Sequence, residues 1–180
     1  MRSDVFVRED AETIARLLHA DQQWDDTSSY VDGHLIPVMW TAVRLAEIDG
    51  YAPVETVAVA ALLHDSIEDV LLERTGSVAA SVEWLEAHDV PADAVDVIVA
   101  VTRFPGESRA AYMTRVAACA HVDPVVWCVK VADNLVNSCP AALAKTATVD
   151  PERAARLAAK YRSDRAILGQ ANLVLGGTPS

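Results

Sequence analysis

Residues 60–70 read AALLHDSIEDV, an apolar run that ends in His64, Asp65, Glu68 and Asp69. Imidazole and carboxylate side chains can hold a divalent ion, and a carboxylate beside such an ion can take a proton from water. A second segment, VVWCVKVADNLVN (125–137), makes the same change from apolar to polar and carries Lys130, Asp133, Asn134 and Asn137. On a helical wheel of about 100° per residue, Glu68, Asp65 and Asp69 lie about 40°, 100° and 140° from His64, opposite Leu63, Ile67 and Val70. By the same measure Lys130, Asp133, Asn134 and Asn137 share an arc of about 100°. One polar face of this kind is usually a solvated helix end. Two of them, on the two most apolar helices of the chain, can line a common cleft.

The elements that position these residues must be central. VAVAALL (57–63) and VVWCV (125–129) are apolar on every side, as in a helix enclosed by others. Helical spacing is expected near 9–21, 34–48, 53–69, 78–87, 91–102, 108–119, 123–139 and 150–168. Ser77 and Asp150 read as N-caps, and Pro91 and Pro151 stand where a first helical turn tolerates proline. Period-two strand patterns with paired turns are absent, so the expected fold is an all-α bundle of about eight helices. One domain over 1–170 and a flexible tail over 171–180 complete the expectation. Trp40 and Trp127 fall in helical runs and are assigned to the core; His19, His88 and His121 receive no role.

Composition limits what such a bundle binds. Hydrophobic residues make up 52% of the 180, enough for a sizeable core. Acidic residues number 26 against 15 basic, giving a net charge of −11 that repels nucleic-acid phosphates and anionic membrane surfaces. A small anionic substrate is compatible with that charge where a metal ion reverses the local sign. Cys119, Cys128 and Cys139 form no CxxC pair and read as reduced thiols. MRSDVFVREDAE at the start lacks the apolar run of a signal peptide, and no apolar stretch reaches membrane-spanning length, so a soluble cytoplasmic protein is expected. The charge is compatible with a monomer or a dimer.

Taken in order, His34, the pair His64–Asp65 and Asp133 resemble the H…HD…D signature of HD-domain metal-dependent phosphohydrolases. More narrowly, AALLHDSIED resembles the ALLHDxxED helix of the hydrolases that remove pyrophosphate from guanosine tetra- and pentaphosphate. VKVADNLVN resembles their KLADxxxN helix, and LHADQQWDDTSSYVDGHLIPV (18–38) is a fainter likeness of their N-terminal segment. The resemblance covers residues 18–140. It implies a bundle holding one divalent ion, usually manganese, on His34, His64, Asp65 and Asp133. The mixture of imidazole and carboxylate agrees with manganese, iron or zinc, and magnesium is a further choice. The resemblance also implies that Glu68 and Asp69 position and deprotonate a water, and that Asn137 contacts substrate. Lys130, one turn before Asp133, can neutralise a phosphate or orient that ligand. Arg103 and Tyr112, in VTRFPGESRAAYMTRV, are candidates for holding phosphate and base or sugar.

The N-terminal segment departs from that family. Residues 20–33 contain no basic residue and carry Asp21, Asp25, Asp26 and Asp32 where cations stand in the guanosine-tetraphosphate hydrolases. Leu35 replaces the proline after the first histidine, and Gly33 suggests a one-residue shift. Three readings follow. The first is an alarmone-type pyrophosphohydrolase acting on a small phosphorylated nucleotide. The second is an HD-type nucleotidase or phosphomonoesterase, which would explain a thin basic lining. The third is a non-enzymatic metal-binding module, for which the pair Glu68–Asp69 would have no use.

Overall fold

The protein is described by a computed structural model that covers residues 8–50 and 52–175. The chain runs through α1 (Arg8–Leu18), a hairpin of β1 (Gln23–Asp25) and β2 (Ser28–Ser29), α2 (Ile36–Asp49) and α3 (Val54–Leu63). It continues through α4 (Leu72–Thr75), α5 (Val78–Glu86), α6 (Ala92–Val101) and α7 (Arg109–Val122). The last elements are α8 (Pro124–Asn137), α9 (Pro140–Val149) and α10 (Pro151–Leu175). The architecture is the all-α bundle expected. Among the described residues no helix is long and apolar enough to cross a membrane.

Helix α3 is central for the reason its sequence gives. Every side chain from Val57 to Leu63 is buried, and the helix packs against α1, α2, α6 and α8. Burial of a large aliphatic side chain stabilises by about 1.5–3 kcal/mol, so this helix anchors the core. Helix α8 starts sharply at Asp123, whose Oδ1 accepts from the Val125 amide at 2.8 Å, with Pro124 in the first turn. Ser77 and Asp150 act as the expected caps, accepting from the Ala80 amide (3.1 Å) and the Arg153 amide (2.8 Å). Helix α10 lies across α7, α8 and α9.

Four features differ from expectation. The expected helix 53–69 ends at Leu63 and passes through His64 into a π-helical turn at Ile67–Leu71; a second π-helical turn, Val31–Leu35, precedes α2. The regular spacing of the wheel therefore does not extend past His64. The hairpin was not legible because strands of two and three residues show no periodicity, and its turn is made locally: Asp25 Oδ1 accepts from the Thr27 amide and hydroxyl, both at 2.8 Å. Helix α9 was missed because it buries no side chain fully and so has no apolar stripe. Trp40 is not in the core; it is 52% exposed with the Arg8 guanidinium 5.3 Å from its ring centroid. Trp127 does pack against the core, its Nε1 donating to the Leu168 carbonyl at 3.3 Å. Of the expected tail, residues 171–175 continue α10, and 176–180 lie outside the described residues.

Candidate metal centre

His34 comes from the first π-helical turn, His64 from the C-cap of α3, Asp65 from the residue after it and Asp133 from α8. Their polar atoms converge. His34 Nε2 lies 3.3 Å from Asp65 Oδ2 and 3.8 Å from Asp133 Oδ1. His64 Nε2 lies 3.0 Å and 3.8 Å from the same two oxygens. Both rings are buried, and ligand atoms of His34, His64 and Asp65 all fall within 4.8 Å of one another.

Each group is held from outside. His64 Nδ1 is 2.8 Å from the Ala61 carbonyl, which can only accept, so Nδ1 donates and Nε2 turns to the carboxylates. That Nε2 is buried and has no hydrogen-bond partner. Such an orphan nitrogen, beside two carboxylates and a second imidazole, suits a divalent cation. Tyr30 donates its hydroxyl to Asp65 Oδ2 at 2.6 Å. Lys130 Nζ donates to Asp133 Oδ2 at 2.6 Å, and Asn137 Nδ2 donates to Asp133 Oδ1.

His34 is held differently. Its Nδ1 has no partner, and its ring is instead stacked on Trp24, with centroids 4.8 Å apart and planes at 18°. Tyr30 packs on the same ring at 4.9 Å. Gly33 makes the stack possible, because a Cβ there would lie 2.5 Å from Trp24 Cδ1. His19, given no role by the sequence, is buried and stacks on Tyr30 at 5.1 Å.

The charges bear the marks of a cation site. Burial opposes protonation of His64, but Asp65 and Asp133 beside it outweigh burial and push its pKa up to about 10. Burial works against ionised Asp133 as well, yet Lys130 and His64 hold its carboxyl below the usual range. Asp69 shows the opposite result: its side chain reaches solvent, yet partial desolvation in the cavity wall, with Asp65 and Glu68 nearby, pushes its pKa up to about 7.

A cavity of about 260 Å³ opens beside the cluster. Asp65, Glu68, Asp69, Lys130, Asp133 and Asn137 line it, as do Arg103 and Tyr112. All ten residues singled out by sequence therefore belong to one site, four at its buried end and the rest around its walls. Two are partly committed. The Tyr112 hydroxyl donates to the Val101 carbonyl at 2.6 Å, leaving its ring on the cavity, and Arg103 Nε donates to the Glu107 carbonyl at 3.0 Å. Glu68 Oε2 accepts from the Arg103 amide at 3.1 Å.

Sequence reasoning missed Tyr30, Arg109, Lys160 and Asp164, which also line the cavity. Only Tyr30 had a sequence signal, as a lone aromatic four residues before His34. As expected, residues 20–33 contribute no cation to the cavity; its four cations are Arg103, Arg109 of α7, Lys130 of α8 and Lys160 of α10. The acids of that segment lie elsewhere. Asp32 pairs with Arg16 at 2.7 Å and Asp25 with Lys145 at 3.0 Å, and Asp21 and Asp26 are exposed. A second cavity of about 310 Å³ shares Asn137 and Tyr161 with the first.

Residues 31–138 match the family model for the HD domain, a span that holds all four residues of the buried cluster. A comparison with curated proteins finds no match. With more than half of its length matched and two histidines and two aspartates drawn together at the buried end of a cavity, the chain belongs to the HD domain family, whose members are generally metal-dependent hydrolases.

Proposed function

We propose that the protein is a metal-dependent phosphohydrolase acting on a small phosphorylated nucleotide, with His34, His64, Asp65 and Asp133 as the ligands of one divalent ion. The observation that carries this reading is the buried, partnerless Nε2 of His64 facing Asp65 and Asp133. Borderline nitrogen and hard oxygen donors together suit manganese, iron or zinc. Such an ion supplies Lewis-acid polarisation of a phosphoryl group and a more acidic bound water.

The protein's own residues supply the rest. Asp69, with a pKa near 7, can accept a proton on a carboxylate oxygen at neutral pH. Glu68 shares the wall and is steadied through the Arg103 amide. Lys130 and Asn137 orient Asp133. The cavity walls carry five carboxylates against four cations, a formal excess of one negative charge that a divalent ion reverses. An anionic substrate thus becomes acceptable in a chain of net charge −11.

Release of pyrophosphate from guanosine tetraphosphate is the first reaction to test, since four cations line the cavity and the helices carrying His64 and Asp133 resemble those of such enzymes. A phosphomonoesterase is the second, favoured by a specific observation: Lys130 and Arg109 are already paired with Asp133 and Asp164, which reduces the charge left for phosphate. The experiment is phosphate and pyrophosphate release from the manganese-loaded protein, compared with EDTA. The substrates are guanosine tetraphosphate and a panel of nucleoside mono-, di- and triphosphates. Turnover that needs metal, vanishes in His64→Ala, and is lost in Glu68→Ala with metal still bound is the expected result. Metal binding without turnover on any substrate would refute the enzymatic reading and leave a binding module.

A further inference from the structure

We infer that the end of the cavity formed by α7 and α10 binds a second phosphoryl group through Lys160, with Arg109 beside it. This rests on the phosphohydrolase reading above and adds what the substrate must carry.

The four cavity cations are not equivalent. Lys130 Nζ donates to Asp133 Oδ2 at 2.6 Å, and Arg103 Nε donates to the Glu107 carbonyl at 3.0 Å. Arg109 is bound through Nη2 to Asp164, a buried carboxylate with 5% exposure. Neither Arg103 nor Lys160 forms an ion pair among the described residues, and of the four only Lys160 makes no side-chain hydrogen bond either; its Nζ lies over the Tyr161 ring, 4.7 Å from the centroid. It is partly buried on the cavity wall. Burial first, and the neighbouring Arg109 second, lower its pKa from the usual lysine value. An ammonium group taken partly out of water and not paired with a carboxylate gains most from an anion that enters the cavity. Arg109 adds to this, because Asp164 engages one nitrogen of its fork and fixes the guanidinium while other donors stay available.

The placement gives the ligand class. The candidate metal ligands come from the first π-helical turn, the end of α3 and α8, whereas Lys160 and Asp164 come from α10 and Arg109 from the first turn of α7. Asp65 and Asp133 of the first group and all three residues of the second line the same cavity of about 260 Å³. A substrate with one phosphoryl group on the ion and another at Lys160 needs at least two, joined as in a pyrophosphoryl group. A monophosphate fills one end only. Helix α10, which carries Lys160 and Asp164, lies beyond residue 138, where the HD domain match stops, whereas Arg109 lies within the matched span.

The test is calorimetric binding of inorganic pyrophosphate and orthophosphate to the full chain at a fixed free Mn²⁺ concentration. Pyrophosphate is expected to bind about tenfold or more tightly than orthophosphate, the worth of one charge-assisted contact. Lys160→Gln should remove that preference, Lys160→Arg should keep most of it, and all three proteins should bind Mn²⁺ equally. Equal affinity for the two anions in the wild-type chain, or an undiminished preference in Lys160→Gln, overturns the second site and leaves the metal reading intact. Absence of Mn²⁺ binding in the wild-type chain overturns the phosphohydrolase reading and this inference with it.

Discussion

The two ends of the cavity are held by opposite means. At the α3–α8 end, His34, His64 and Asp133 are buried and Asp65 half-buried, and each is oriented by a neighbour: Trp24 for His34, Ala61 for His64, Tyr30 for Asp65, Lys130 and Asn137 for Asp133. At the α7–α10 end a half-buried ammonium lies over a ring, and a single buried carboxylate fixes one arginine. The first arrangement fixes geometry before any ligand arrives, as chemistry at a metal ion requires. The second leaves charge available and geometry looser, which suits recognition of a flexible phosphorylated molecule. On the proposed reading, catalysis and recognition are separated along one cavity, and each end can be perturbed alone.

The largest effect should come from the buried end. Asp65→Ala removes an oxygen that faces both His34 and His64 and leaves the Tyr30 hydroxyl without its acceptor. A loss of Mn²⁺ affinity of more than about 100-fold, with turnover down by about 10³ or more, is expected by equilibrium dialysis and phosphate release. Retained metal affinity would break the comparison, because the ion would have to sit elsewhere.

Next is the stack behind His34. Gly33→Ala places a Cβ 2.5 Å from Trp24 Cδ1, so the indole must move off the His34 ring. Overpacking of this kind costs about 1–3 kcal/mol, read by chemical denaturation. If the cost arises from Trp24, then Gly33→Ala adds little on a Trp24→Ala background, and the double-mutant cycle measures that coupling. Additive effects would show that the glycine serves the backbone and not the stack.

A third test uses pH. His64 has a pKa of about 10 in the folded chain without metal, raised from 6.5. Its contribution to stability is complete below pH 6.5 and is lost as pH rises toward 10. Asp69, raised from 3.8 to about 7, acts in the same direction over the lower window, weakly because its side chain reaches solvent. In EDTA the unfolding free energy, read by chemical denaturation, should therefore fall as pH rises from 6.5 to 10, by a few kcal/mol at most. Excess Mn²⁺ should abolish the fall, since metal binding favours the deprotonated ring. Equal slopes with and without Mn²⁺ would mean that ion and proton do not compete at His64.

The two ends also differ in how far the sequence discloses them. His64, Asp65 and Asp133 stand out because histidine and aspartate at the end of an all-apolar helix are unusual for a solvent face, and residue type alone flags them. Lys160, Arg109 and Asp164 carry no such mark, for Lys, Arg and Asp are ordinary on exposed helices. Their meeting depends on α10 crossing α7, a contact between residues 55 apart in sequence for Arg109 and Asp164. The stack of Trp24 on His34 was hidden for a related reason: a short hairpin with no periodicity carries the indole, and Gly33 showed only as an irregularity. The central helices were legible through burial on every side. The π-helical turns were not, since one widened turn leaves no compositional trace, yet they shape the segments that carry His34, Glu68 and Asp69.

The smallest effect concerns the acidic N-terminal segment, whose charge the sequence set against a polyphosphate substrate. Its acids do not line the cavity, and Asp21 and Asp26 are exposed to solvent. Water and salt screen such charges over about 8–10 Å, so their field at the cavity is weak. Replacing both in Asp21→Lys/Asp26→Lys changes the formal charge by four units while leaving Asp25 and Asp32 with their partners Lys145 and Arg16. Turnover at 0.15 M salt should change by less than about twofold, and any gain in kcat/KM should shrink as salt is raised. A gain of tenfold or more that persists at high salt would instead place this segment against the bound substrate. The cavity would then have a third wall, and the division between a catalytic end and a recognition end would have to be redrawn around the hairpin.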